Sequence, residues 1–354
     1  MRVSAIVPTL NRPEYLRQCL QSLLGQRRAA DQILVVDDGS TDPGVGRVLQ
    51  EFSAAVESFS TTGLGRGGAV NLAAERARGE FLWVFDDDDI ALPDALERLL
   101  LPFQAGLDLG FSYGAHRRGL GRFDPLAEVP GEDQLWQGLL LGNLLPGGSM
   151  LIRASLFQQV GGFDAALLRS QDYDLALRLA RTARYQRAPG GALFLQRQHN
   201  GVRGGPGQRF PARQRNAYWL SYDQRIFRRL YQELDLAAYG TDERLALLQR
   251  MVAMAGKLLI QEVMDDIQRL GHLARRPWSG AEQRLWLLLH NQPYYNFGHV
   301  LDRPEVWRTL RRSGLATRVR HSGWHWWCRR PGWVRLRQLL GRLWLSYAFA
   351  NGAL

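Results

Sequence analysis

Two short runs of uninterrupted apolar residues each end abruptly in acid. Ile33-Leu34-Val35-Val36 runs into Asp37-Asp38-Gly39-Ser40, and Phe81-Leu82-Trp83-Val84-Phe85 runs into Asp86-Asp87-Asp88-Asp89. A strand with no polar alternation must be covered on both faces, which is the condition of a parallel sheet sandwiched by helices. In open sheets of that kind, ligands bind beyond the carboxyl ends of the strands. The sequence therefore predicts an α/β fold with two acidic clusters on its ligand-binding edge.

The neighbouring segments fit the same scheme. Val3 to Val7 reads as a strand ended by Pro8. Asn11 is expected to start a helix, with Pro13 in the first turn and Glu14 at capping-box spacing. Leu16, Cys19, Leu20, Leu23 and Leu24 then recur at helical spacing. Gly63 to Gly68 is glycine-rich, and Ala69 to Arg78 is predicted helical. Phe111 to Glu132 reads as a strand with loops, and Ser149 to Ile152 is a short apolar segment after Gly147-Gly148. Leu156 to Val160 and Asp172 to Arg181 read as helices on either side of a Gly161-Gly162-Phe163-Asp164 turn. After about residue 210 the pattern changes to long helices rich in Leu, Arg and Trp. A domain boundary is placed near 205–212, giving domains of 1–205 and 206–354.

Composition narrows the class. The 354 residues are 45% hydrophobic and 22% charged, which excludes disordered and collagen-like chains. The two cysteines, Cys19 and Cys328, are too far apart in sequence for a paired metal motif, and a cytoplasmic setting is expected. The N-terminus lacks the apolar core of a signal peptide, and no run is long and apolar enough for a membrane span. Residues 1–204 carry a net charge of about −2, so the remaining residues carry about +13 against the total of +11, and a basic half of this kind suits an anionic partner.

Four consecutive aspartates repel one another unless a cation neutralises them. Carboxylate oxygens are hard donors suited to Mg²⁺ or Mn²⁺. Five segments in this order resemble the family 2 glycosyltransferases of GT-A fold, over about residues 1–205. They are Val7-Pro8-Thr9-Leu10-Asn11-Arg12, Val35 to Asp42, Asn71 through Gly79-Glu80 to Asp89, Gly161 to Asp164, and Gln171-Asp172-Tyr173-Asp174-Leu175. The resemblance implies a GT-A-like (Rossmann-like) mixed, mainly parallel sheet with helices on both faces over residues 1–205, and the residue pattern beyond it predicts a mainly helical C-terminal domain. It also implies a metal-dependent, inverting transfer of a sugar from a nucleotide sugar, most simply a UDP-sugar, to a glycan or lipid-linked acceptor.

Site roles follow from the same resemblance. Pro8, Thr9 and Glu14 fall where the first loop cradles the nucleotide, and Asp37 and Asp38 where a carboxylate meets the base. Asp86-Asp87-Asp88 matches the DXD motif, with Asp86 near the ribose and Asp88 on a Mn²⁺ or Mg²⁺ ion. Asp172 matches the general base, and His199 a further metal ligand. Two positions depart from the family pattern. Gln171 replaces an acidic residue before the base, which is expected to lower the base's pKa. Val70 stands where many members have Arg, and Arg66, one helical turn earlier, is the candidate replacement.

Other readings compete. Gly63-Leu64-Gly65-Arg66-Gly67-Gly68 fits GxGxxG, the mark of a nucleotide-dependent oxidoreductase. His321, His325 and Cys328 cluster in sequence, but a metal site there would lack a fourth ligand nearby, and a surface aromatic and basic patch is the expected reading. Eight of the 11 tryptophans follow residue 270, with Arg throughout. That half suits a helical cap, peripheral association with anionic membrane, or nucleic acid. Trp333 to Phe349 has the spacing of an amphipathic helix.

Overall fold

The computed structural model describes residues 1–119, 126–197, 215–273, 277–291, 300 and 303–316. The chain divides into two compact units, Met1–Pro211 and Ala212–Leu354.

The first unit opens with β1 (Val3–Thr9), α1 (Pro13–Leu24), β2 (Gln32–Asp37), α2 (Pro43–Glu51), β3 (Glu57–Ser60), α3 (Gly65–Glu75) and β4 (Phe81–Val84). It continues with β5 (Ile90–Ala91), α4 (Ala95–Gln104), β6 (Phe111–Tyr113), β7 (His116–Arg118), β8 (Leu126–Ala127), α5 (Glu132–Leu141) and β9 (Met150–Arg153). It ends with α6 (Ala154–Gln159), α7 (Gln171–Thr182), β10 (Tyr185–Arg187) and β11 (Phe194–Gln196). The main sheet has the order β10-β6-β9-β4-β1-β2-β3. It is parallel except at β9, which runs antiparallel to both β4 and β6. A small second sheet has the order β5-β11-β7-β8.

The apolar strands are buried on both faces, as their sequences require. Val3, Ala5 and Val7 of β1 join a core with Leu16, Leu20 and Leu23 of α1, Val45 and Val48 of α2, and Leu96 and Leu99 of α4. α3 packs on β1 and β2 through Ala69, Val70 and Ala73, which lie outside that core. Because β1, β2 and β4 are adjacent and parallel, Thr9, Asp37 and the Asp86 run all emerge at one edge.

Three local expectations are corrected. Pro8 does not end β1, which runs on to Thr9. Ile6 carbonyl oxygen accepts from Phe85 N on the β4 side, so Pro8 faces the same way, past the last β4 pairing at Ile6–Val84. Its missing N–H costs no ladder bond there. Asn11 does not cap α1 either. It has a φ of 55°, and its Oδ1 accepts from Thr41 N (2.7 Å) and Asp42 N (2.9 Å), tying the first loop to the second. α3 begins at Gly65 rather than Ala69, because Asp38 accepts from the amides of Leu64 and Gly65 and satisfies the orphan donors of a helix start.

The second unit holds α8 (Arg215–Glu233), a 3₁₀ turn at Leu236–Tyr239, α9 (Glu243–Ala255), α10 (Ile260–Leu273), α11 (Gly280–Asn291) and α12 (Pro304–Arg312). α9 packs on α10 and α11, and α10 on α12. Trp278 and Trp286 are buried edge-to-face, with centroids 5.1 Å apart. No helix among the described residues is long and apolar enough to cross a membrane. The His321, His325, Cys328 cluster and the Trp333–Phe349 segment lie outside the described residues.

Candidate active site

The Asp86–Asp89 run turns back on itself at the end of β4, where Asp89 N donates to Asp86 carbonyl oxygen at 3.1 Å. Asp87 points inward. Its Oδ2 accepts from Thr9 Oγ1 (2.7 Å) and its Oδ1 from Arg12 Nη1 (2.8 Å). Burial pushes its pKa up to about 6, against the pull of Arg12. The same Arg12 nitrogen donates to Asp88 Oδ2 at 2.9 Å. Asp89 Oδ1 accepts from Arg197 N at 3.0 Å. The Arg197 side chain donates to Asp88 carbonyl oxygen and Gln18 Oε1 and lies over the Tyr15 ring at 4.6 Å. Thr9 and Asp87, both expected to meet the nucleotide, thus bond to each other.

One carboxylate oxygen each from Asp86, Asp88 and Asp89 lies within 4.8 Å of the others. Three hard oxygen donors gathered this closely fit a divalent cation of the Mg²⁺ or Mn²⁺ class. Asp88 was expected in that role and Asp89 was not. His199 lies outside the described residues.

Asp172 sits in the first turn of α7, entered through Ser170 at a φ of 57°. Asp172 Oδ1 is 3.0 Å from Arg66 Nη2, and Arg66 Nε donates to Asp86 Oδ1 at 2.7 Å. Gly147 N–H also donates to Asp172. Burial raises the Asp172 pKa, outweighing the opposing effect of Arg66. Gln171 adds no charge beside the base, and desolvation sets the direction of the shift. Gln171 is buried, donates to Leu167 carbonyl oxygen and faces Gly67, where a Cβ would stand 2.9 Å from Gln171 Nε2.

The remaining expected positions are less central. Glu14 is exposed and lies 3.7 Å from Arg17. Pro8 is buried within β1. Asp37 Oδ1 accepts from Ser40 N at 2.9 Å. Asp38 accepts from Thr61 Oγ1 (2.6 Å), Leu64 N (2.7 Å) and Gly65 N (2.8 Å). The amides a dinucleotide pyrophosphate would need at GxGxxG are therefore already bonded to a carboxylate, which counts against the oxidoreductase reading. Asp38→Ala removes the acceptor that starts α3, and a loss of about 1–2 kcal/mol is expected from the range for helix caps. A urea midpoint unchanged from wild type would refute that role.

Arg12, Gly147 and Arg197 are the site residues that sequence reasoning missed. Arg12 lies in the quoted Val7–Arg12 segment, and Gly147 precedes β9 in a visible Gly-Gly pair. Arg197 carries no local signal.

Residues 4–140 match the family model described as glycosyl transferase family 2. That segment belongs to the family. An uncharacterized glycosyltransferase of Rickettsia felis is 30% identical over 194 residues, covering 51% of this chain and 32% of its own length. The chondroitin synthase of Escherichia coli is 29% identical over 185 residues, covering 50% of this chain and 26% of its own. The chain thus spans about a third or less of these relatives. Among solved structures, S. aureus TarS residues 1–349 in complex with UDP-GlcNAc has a TM-score of 0.57 at 18% identity, covering 77% of this chain and 84% of that one. The mannosyltransferase PcManGT of Pyrobaculum calidifontis in complex with GDP-Man and Mn²⁺ has a TM-score of 0.51 at 17% identity, covering 93% and 88%. The first unit therefore has a GT-A-like fold, with Asp172 joined to the Asp cluster through Arg66.

Proposed function

We propose that this chain transfers a sugar, with inversion, from a nucleotide sugar to a hydroxyl of a glycan or lipid-linked acceptor. The observation that carries the reading is the meeting of Asp86 and Asp172 on one arginine. It brings the end of the β4 acidic run, on the donor side, against a half-buried carboxylate able to act as base. The catalytic domain is residues 1–205, and a UDP-sugar is the donor favoured by the sequence resemblance.

Asp172 takes the proton of the acceptor hydroxyl as that oxygen forms its bond to the anomeric carbon. The bond to the nucleoside diphosphate breaks on the opposite face, so the configuration inverts. A raised pKa makes the ionised carboxylate a stronger proton acceptor than an ordinary aspartate. Asp37 and Glu14 are assigned to the nucleotide by the sequence resemblance. Asp86, Asp88 and Asp89 would hold a Mn²⁺ or Mg²⁺ ion, with His199 as a further ligand. When bound, that ion supplies positive charge to the departing diphosphate. Arg12 and Arg197 keep Asp88 and Asp89 in place.

UDP binding to the wild-type chain should depend on Mn²⁺, and a panel of nucleotide sugars hydrolysed with Mn²⁺ present identifies the donor. Calorimetry showing equal UDP affinity with and without Mn²⁺ would remove the metal from the mechanism.

A second reading concerns location. α12 buries Val306 and Leu310 and exposes Arg308, Arg311 and Arg312, with exposed Arg303 just before it. Such a basic face supports peripheral association with anionic lipid on the cytoplasmic side of the cell membrane. Retention on anionic liposomes at low salt, lost at high salt, is the expected result.

A further inference from the structure

We propose that Arg66 is a positioning residue that holds the base Asp172 in register with Asp86, so that one guanidinium couples the two halves of the reaction. The inference rests on the transferase reading above. Asp86 follows β4 and Asp172 opens α7, and nothing in their local sequence fixes one against the other. Arg66, from the first turn of α3, reaches both, with Nε on Asp86 Oδ1 at 2.7 Å and Nη2 at 3.0 Å from Asp172 Oδ1. Two carboxylates brought this near repel when no cation stands between them. A guanidinium spreads its charge over three nitrogens and can stand against two separate carboxylates at once, here by a hydrogen bond to Asp86 and an ion pair with Asp172, whereas a lysine ammonium supplies only a point charge.

The surroundings immobilise the guanidinium. It lies over the Phe163 ring, 5.2 Å from the centroid. Phe163 is itself clamped by Asn71 of the same helix, whose Oδ1 accepts from Phe163 N and whose Nδ2 donates to Phe163 carbonyl oxygen, both at 2.8 Å. Gly147 closes the remaining side. A Cβ there would stand 2.9 Å from both Arg66 Nη2 and Asp86 Oδ2, while the Gly147 N–H bonds to Asp172. Arg66, Phe163, Asn71 and Gly147 thus form a rigid seat between the acidic run and the base. Small displacements of a reacting group are costly, about 10²-fold in rate for 1 Å.

The test uses the full chain with Arg66→Lys, Gly147→Ala, Asp172→Asn and the Arg66→Lys/Asp172→Asn double variant. Arg66→Lys keeps the charge and loses the spread of the guanidinium, so kcat should fall about 10²-fold with donor KM near wild type and an unchanged far-ultraviolet circular dichroism spectrum. Gly147→Ala leaves Arg66 chemically intact but pushes it from its seat, and should reproduce part of the kcat loss. The double variant should be no slower than Asp172→Asn alone, because Arg66 acts through the base. Wild-type kcat in Arg66→Lys, a loss confined to donor KM, or a double variant carrying the product of the single losses would each overturn the proposal. If the wild type transfers no sugar, the transferase reading fails instead. The Arg66–Asp172 link is then judged by the same double-mutant cycle in thermal unfolding, where additive shifts would overturn it.

Discussion

Asp172→Asn should lower sugar transfer by roughly 10²–10⁴-fold, the range general-base assistance contributes, while UDP binds about as before. The substitution keeps the side chain's shape and an oxygen that can accept from Gly147 N–H. It removes the capacity to take a proton. Asp174, two residues on, cannot substitute. Its side chain is buried and gripped by Arg178, with Oδ2 accepting from Nε at 2.9 Å and Nη2 at 2.6 Å. The wild-type pH profile should show the base as well. Burial raises the Asp172 pKa, and only the ionised form can accept the proton. The rate should therefore climb with pH through a value above the ordinary aspartate range, and that limb should vanish in Asp172→Asn. Transfer by the variant within a few-fold of wild type would dismiss Asp172 as the base.

What could be read from sequence divides along physical lines. β1, β2 and β4 were legible because they are interior strands of the sheet and carry mainly apolar residues. β3 was not, because its Glu-Ser-Phe-Ser sequence is an exposed edge whose partner is on one side only. β6, β7, β10 and β11 are three residues each, too short for a period to declare itself. α4 carries Pro102 in its last turn, which hides a helix from a reading that treats Pro as a stop. The carboxylates of the site were legible for the same reason as the strands, since a polar run ending a buried strand has few places to go. Their partners were not. Arg12, Gly147 and Arg197 come from three separate loops and meet the aspartates only through topology. The direction of the base's shift was not legible because Gln171 reports only a local charge, whereas burial is set by the whole fold around α7.

In the second unit, the largest single-residue effect on stability is expected from Arg250→Met. Arg250 of α9 donates to Asp266 of α10 through Nε (2.9 Å) and Nη2 (2.5 Å). Their side chains are 5% and 0% exposed. Arg250 also lies over the Tyr231 ring at 4.6 Å, and the Tyr231 hydroxyl is 3.3 Å from Asp266 Oδ1. Methionine can fill the volume of the arginine stem but leaves a buried carboxylate with that hydroxyl and the charge of Arg269 in place of its own ion pair. Breaking one side of a buried pair costs about 3–5 kcal/mol, most of it from the charge left behind. The pH dependence separates this cause from simple loss of packing. Burial already raises the Asp266 pKa, with Arg250 opposing it, and removing Arg250 raises it further. A carboxyl whose folded pKa exceeds its unfolded value favours the fold when protonated. Its contribution is therefore complete below the ordinary aspartate pKa and is lost as pH rises through the raised one. The penalty in Arg250→Met should accordingly be large at neutral pH and shrink in acid. Arg250→Met/Asp266→Leu, which removes both charges, should recover most of the stability at neutral pH. Urea unfolding of the three chains at neutral and acid pH gives the answer. A penalty that is the same at both, or a double variant no better than Arg250→Met, would mean that the α9–α10 contact is held by its apolar residues and not by the ion pair.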